Sequence, residues 1–355
     1  VQQDKGVPYP QLVRKGVVYN EMKGAMSSPD QVMVRSILKA LYPDTTYSNN
    51  SGGDPAVIPS LTYDQLVAFH QKHYHPSNAY FYTYGDLPLK DHLARIGDET
   101  LARFKPIDRS AAVPSQPRWS EPQTVSYSYP IDPAEDISHK YQMCVAWLTA
   151  DIQDHFEVLK LALLEQVLFA NSASPMRKAL IESGLGSALC DGCGFDAENR
   201  DSLFVFGLKD VSADAMSALD NLVTNVLQEL FATGIDRRLI DSALHQIEFH
   251  RKEITNTPYP YGIKQLMSFA GPWFHGTNPL KLLNLDEDLS RLRDRLDSEP
   301  LFEDCIKRYF LDNPHRIQLT LVPDKNIARD EELRVRKELD VLKDDLSEDD
   351  LVRLE

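Results

Sequence analysis

The stretch Lys105–Gln123 holds four prolines and almost no hydrophobic period, and it constrains the fold more than any other part of the chain. Proline lacks a backbone N–H and holds φ near −65°, so such a run cannot be an inner strand or a continuous helix. A chain of 355 residues interrupted there is long enough for two domains with cores of their own. The expected division is a domain over 1–106, a linker over 107–123, a second domain over 124–323 and a final segment over 324–355.

Hydrophobic spacing assigns elements on both sides of the break. Arg14–Met26 fits a helix with Val17, Val18, Glu21 and Met22 on neighbouring faces. Ser28 then caps a second helix with Pro29 at its first position and Val32, Ile37 and Leu41 among its apolar residues. Asp44–Ser60, rich in Thr, Ser, Asn, Gly and Pro, is predicted to be loop. Thr62-x-x-Gln65 forms a capping box for a helix carrying Leu66, Phe69 and His70, and Ala79–Tyr84, aromatic and β-branched after its alanine, is predicted to be a strand. Beyond the break, strands are expected near Thr124–Tyr129, Tyr141–Leu148, Ala188–Gly194, Ser202–Leu208 and His315–Val322. Helices are expected over Asp154–Ala170, Ser212–Thr233, Asp236–Thr255, Pro279–Leu296 and Pro300–Phe310, and a charged helix runs on from Asp324. Strands that precede and separate paired helices, without a βαβ rhythm, give an α+β class.

Composition excludes more than it selects. The net charge of −15, from 53 acidic against 38 basic side chains, argues against nucleic acid or an anionic membrane as the main partner, and would suit basic peptides. No apolar run is long enough to span a bilayer. Four cysteines are too few for a disulfide framework in a chain this long and suit a reducing compartment. Cys190-Asp-Gly-Cys193 has the spacing of a zinc knuckle or redox turn, but no second such pair accompanies it, so a turn between strands is the better assignment. His70 and His73 share a helical face and could hold a divalent ion, yet Pro76 ends the helix before His75 can join them; scaffold residues are preferred. His245 and His250 are five apart, and His155 and His275 have no ligand-like neighbours in sequence. There is no G-x-S-x-G elbow, P-loop, H-E-x-x-H or H-x-x-E-H.

The segments Gly16-Val-Val-Tyr-Asn-Glu-Met-Lys-Gly24, Leu41-Tyr-Pro-Asp-Thr-Thr-Tyr-Ser48, Ser51-Gly-Gly-Asp-Pro55, Ile58–Tyr63, Phe69–Ala79 and Tyr84-Gly-Asp86 follow one another in an order that resembles zinc metallopeptidases of the presequence-protease type, in the pitrilysin family. A weaker match continues through Ser174–Gly186. The resemblance implies LuxS/MPP-like α+β domains, each a mixed or antiparallel sheet packed by helices, followed by a C-terminal linker helix. It makes 1–106 the end of the catalytic domain, 124–323 a second pitrilysin-like domain and 324–355 the start of a helical hairpin. It also implies that Glu21 is the third ligand of a catalytic Zn²⁺, whose two histidines and general-base glutamate lie on an H-x-x-E-H helix upstream. With Val1 so close to Glu21, that helix has no room here, so the chain is expected to be a piece of a peptidase with no catalytic residue of its own, unable to hold catalytic zinc.

The implied parent is a zinc metalloendopeptidase that degrades unfolded peptides in a closed chamber, in a bacterial cytoplasm or an organelle matrix. Its partners would be unstructured peptides and the rest of the same polypeptide. Substrate-binding residues cannot be named from the sequence. An alternative from another class is a non-catalytic pitrilysin-like subunit that binds peptides or serves as scaffold, and a third is an isolated domain without independent function.

Overall fold

The computed structural model describes residues 11–108, 111–283 and 285–354. Its centre is a six-stranded sheet made of β1 (Gln123–Pro130), β2 (Tyr141–Asp151), β3 (Ala188–Leu189), β4 (Gly194–Asp196), β5 (Asp201–Val211) and β6 (Arg316–Asp324). The order is β1-β6-β2-β5-β3, with β4 also on β5. β1 runs parallel to β6 and the other pairs are antiparallel, so the sheet is mixed and the class α+β. Four helices precede it: α1 (Val17–Ala25), α2 (Pro29–Leu41), α3 (Tyr63–His73) and α4 (Leu89–Arg95). α5 (His155–Phe169) and α6 (Pro175–Glu182) follow β2. Between β5 and β6 come α7 (Met216–Thr233), α8 (Arg237–Lys252), α9 (Tyr261–Phe274), α10 (Pro279–Leu282), α11 (Leu285–Leu296) and α12 (Leu301–Ile306). The chain continues with α13 (Ile327–Asp344) and α14 (Glu348–Arg353).

The two central strands are apolar on both faces because each face has its own core. Met143, Val145 and Trp147 of β2, with Phe204, Phe206 and Leu208 of β5, join a cluster with α5, α7 and α12. Alternate residues, Cys144, Ala146, Leu148, Leu203 and Val205, point the other way and meet Ile317, Leu319 and Leu321 of β6. This second face is covered by Val32, Met33, Ile37 and Leu41 of α2 and by Tyr42 after it. A helix from before the proline-rich stretch therefore seals the sheet that lies beyond it. Ser28 accepts the Gln31 N–H and Pro29 opens the helix, as the sequence predicts. Met33, Leu41 and Tyr42 are wholly buried, and each such side chain contributes about 1.5–3 kcal/mol of transfer free energy.

The proline-rich stretch is pinned rather than loose over its second half. The Gln116 N–H donates to Asp201 Oδ2 at 2.8 Å, and the Gln116 side chain exchanges bonds with Asp44. Arg118 reaches both Asp201 Oδ1 (2.9 Å) and the Thr149 carbonyl (2.7 Å). Prolines leave few backbone donors here, so side chains supply the anchoring.

One predicted element is absent. Ala79–Tyr84 forms no strand, because a strand needs a neighbour for its backbone groups and none lies beside it among the described residues. Its aromatics pack on α9 instead: Tyr80 against Trp273 (4.6 Å between centroids), Tyr82 against Phe269 (5.8 Å) and Tyr84 against Tyr261 (6.0 Å). The Tyr82 hydroxyl donates to the Gly262 carbonyl at 3.0 Å. α3 has its capping box but buries no residue, leaving Leu66 and Phe69 65% and 57% exposed.

Candidate functional site

α1 carries the one residue assigned a metal role. Gly16 enters the helix in extended conformation without a side-chain cap, and the helix is held by burial of Tyr19 and Met22 on one side. Met22 packs into the loop at Gly52, where any Cβ would strike its sulfur. Asn50 braces that loop by donating to the Gly53 carbonyl at 2.7 Å, and Gly53 itself has φ +90°, which favours glycine. The Ser51-Gly-Gly53 turn is thus a clasp for α1. α13 closes a second side, where Arg14 pairs with Glu338 at 2.7 Å beside a cavity of about 290 Å³ lined by Tyr19, Asn20, Lys23 and Leu339.

Glu21 stands on the exposed side of this clasped helix. A catalytic zinc needs three protein ligands. Among the described residues no group of three or more His, Cys, Asp or Glu side chains is placed to hold a metal. The described residues do not by themselves make up a zinc site.

The other polar candidates are spent separately. His70 stacks on Tyr74 (4.7 Å), His73 lies against Phe69 (4.5 Å), and His75 meets the edge of Phe104 (5.2 Å) while its Nδ1 accepts the Ser77 N–H at 3.1 Å. They are scaffold and cap residues. Cys190-Asp-Gly-Cys193 is a hydrogen-bonded turn between β3 and β4, closed by Cys193 N–H to Cys190 C=O at 3.2 Å with Gly192 at φ +81°. The four cysteines are free thiols. Neighbouring thiols and burial push Cys190 and Cys193 well above the ordinary range, with Cys144 the first cause for Cys190. Sequence spacing gave no hint of that third thiol, which comes from β2.

Other partners also arrive from far along the chain. His155 faces Asp288 at 3.4 Å. His275 Nε2 lies 3.0 Å from the Tyr47 hydroxyl, whose oxygen also accepts the Arg200 N–H. Burial and the nearby Arg200 lower the His275 pKa, which favours a neutral ring that accepts the Tyr47 O–H. His315 is completely buried; its ring stacks on Trp119 at 3.8 Å, Nδ1 accepts the Trp119 N–H at 3.3 Å and Nε2 donates to the Leu41 carbonyl at 3.0 Å. Leu41 ends α2, so this bond satisfies one of the carbonyls that a helix leaves orphaned. Burial lowers the His315 pKa to about 4. One ring thus joins the proline-rich stretch, the second-face helix and the entry to β6. Neither His275 nor His315 belongs to a local motif, so sequence spacing offered no signal for them.

Residues 60–247 match the family model described as the peptidase M16 inactive domain. The chain is 35% identical over 341 residues to the mitochondrial presequence protease of Danio rerio, a match covering 94% of this chain and 33% of that protein. It is 37% identical over 319 residues to the mitochondrial presequence protease of Mus musculus, covering 89% and 30%. It therefore spans about a third of the length of the curated relatives it matches. The crystal structure of a peptidase M16 inactive domain from Pseudomonas fluorescens superposes with a TM-score of 0.65 at 18% identity, covering 86% of this chain and 69% of that one. That likeness supports the fold alone.

Proposed function

The chain belongs to the peptidase M16 family, and from that premise we propose that it is part of a zinc metalloendopeptidase that degrades unfolded peptides in a closed chamber, inactive when taken alone. The observation that carries this reading is the 35% identity to a presequence protease along 94% of the chain. Glu21, exposed on a helix clasped by Met22 and the Gly52 loop, is the carboxylate it would contribute to a Zn²⁺ site completed by two histidines from outside the chain. Residues 1–106 would be the end of the catalytic domain, 107–123 the linker, 124–323 the second domain and 324–355 the start of a helical hairpin. Its partners would be unstructured peptides and the remainder of the polypeptide. No described helix is long and apolar enough to cross a membrane. An organelle matrix is favoured by the mitochondrial relatives; a bacterial cytoplasm is the alternative, a 33% identical relative being bacterial, in Clostridium perfringens.

A second reading, a non-catalytic peptide-binding or scaffolding subunit, is favoured by one specific observation: the matching family model is that of the inactive domain. Fluorogenic peptide hydrolysis separates the two. The 355-residue chain with added Zn²⁺ is expected to be inert, whereas the intact gene product is expected to cleave and to lose cleavage on Glu21→Gln. An intact gene product that binds peptides without cleaving them would establish the second reading. Cleavage unaffected by Glu21→Gln would remove Glu21 from the metal site.

A further inference from the structure

A cleft of about 520 Å³ lies between α5, α8, α9 and α11, within the size range of small-ligand sites. Its apolar wall includes Val158, Leu159 and Ala162 of α5 and Ile247 of α8. Into the same cleft comes Glu165, one helical turn beyond Leu161, a half-buried carboxylate whose Oε1 accepts the Phe195 N–H at 3.2 Å. No cation pairs with it among the described residues, and burial together with the nearby Asp196 raises its pKa, a penalty that a cation bound beside it would offset.

Further acceptors stand beside it, together with the Gln166 amide, which can both donate and accept, and His155, which is already engaged with Asp288. Pro272 sits inside α9 and has no N–H to offer the carbonyl of Ser268 four residues earlier; both residues line the cleft. His250 Nδ1 donates to the Gln246 carbonyl at 2.7 Å, so in the neutral ring Nε2 is an acceptor. Asp288 lies at the same cleft, already facing His155. An apolar wall with acceptors and a carboxylate lacking a cation is complementary to a group that has an aliphatic stem and only donors at its tip, which describes arginine and lysine side chains.

We propose that this cleft binds a basic side chain, arginine or lysine, of a peptide held by the protein. The stem would lie along Val158 and Ile247 and the cationic head would pair with Glu165. The inference deepens the peptide-handling reading above and rests on it for the source of the side chain, but the cleft's chemistry can be tested apart from it.

The experiment titrates the whole chain by calorimetry with three probes: N-acetyl-arginine amide, its uncharged isostere N-acetyl-citrulline amide, and an unstructured peptide rich in arginine. Two variants act by different routes. Glu165→Gln removes the charge while keeping an acceptor for Phe195, and Ala162→Phe fills the cleft while leaving the charge; thermal melts verify that each folds. The expected result is that the arginine probe and the peptide bind, that both variants weaken them about tenfold or more, as for loss of a charge-assisted pair, and that citrulline binds at least as poorly. An arginine probe that does not bind, or that binds both folded variants as well as the parent, overturns the assignment. If the peptide binds and is indifferent to both variants, the cleft assignment falls and peptide handling stands. If the arginine probe depends on Glu165 but no peptide binds, the cleft stands and the peptide source falls.

Discussion

Acidification should loosen the chain at one identifiable ring. His315 is wholly buried and uses both nitrogens as a neutral imidazole: Nε2–H donates to the last carbonyl of α2 and Nδ1 accepts the Trp119 N–H. Protonation would put a hydrogen on Nδ1, turning that acceptor against a donor. Burial accordingly lowers its pKa from 6.5 to about 4. Because the folded value lies below the unfolded one, the unfolded chain binds the proton more readily, so this contribution to stability is complete above pH 6.5 and is lost as pH falls towards 4. A depression of that size corresponds to about 3 kcal/mol. The perturbation is His315→Phe, which keeps a flat ring against Trp119 but orphans the Leu41 carbonyl and the Trp119 N–H, at about 1–3 kcal/mol for each buried group left unpaired. Urea unfolding of both proteins between pH 7.5 and 4.5, followed by tryptophan fluorescence, should show the variant less stable at pH 7.5 and the gap closing as pH falls. Taking the difference cancels the other titrating groups, including Glu165, Asp196 and Asp201, whose raised pKa values give the opposite slope. A gap that stays constant with pH, or an imidazole resonance titrating near 6.5, would refute the reasoning.

Two further predictions follow from the second face of the sheet. A Cβ at Gly207 would collide with the Cys190 sulfur and lie 2.6 Å from both Cys144 Cβ and the Met143 carbonyl; Gly207→Ala should destabilise by about 1–3 kcal/mol, and an unchanged melting temperature would show that the strands yield. Cys193 is partly exposed whereas Cys144, Cys190 and Cys305 are buried; native alkylation mapped by mass spectrometry should modify Cys193 first, slowly at pH 7.5 and faster as pH rises, since its thiol is held well above the usual range. Labelling of Cys144 at the same rate would mean that α2 does not stay seated on the sheet.

The elements whose signals are local are legible in the order of the amino acids. Ser28 and Pro29 start α2 and Thr62 with Gln65 start α3, because a cap is a bond between residues three apart. Asp154 likewise caps α5, and the Asp191-Gly192 turn follows from the conformational freedom of glycine. The alternation along β6 and the unbroken apolar runs of β2 and β5 state how many faces each strand buries. The resemblance around Glu21 and Gly52-Gly53 is legible too, since it rests on residue order alone.

What the chain could not disclose locally is which surfaces meet. β6 enters the sheet between β1 and β2 although both precede it by almost the whole domain, and no short-range rule specifies that insertion. A strong local strand signal, Ala79–Tyr84, failed for the same reason: β propensity describes a side chain's fit to a pleated surface, and the pairing itself depends on a neighbour that sequence does not name. His155 with Asp288, Tyr47 with His275, and Cys144 behind Cys190 are likewise joined only after packing. The sequence by itself determined the caps, the turns, the alternation of the core strands and the family, because these depend on residues within a few positions or on their order. The tertiary structure alone decided strand order, the seating of α2 beyond the proline-rich stretch, and the setting of Glu165 and His315, because burial and pairing arise between segments whose separation along the chain carries no information about their distance in space.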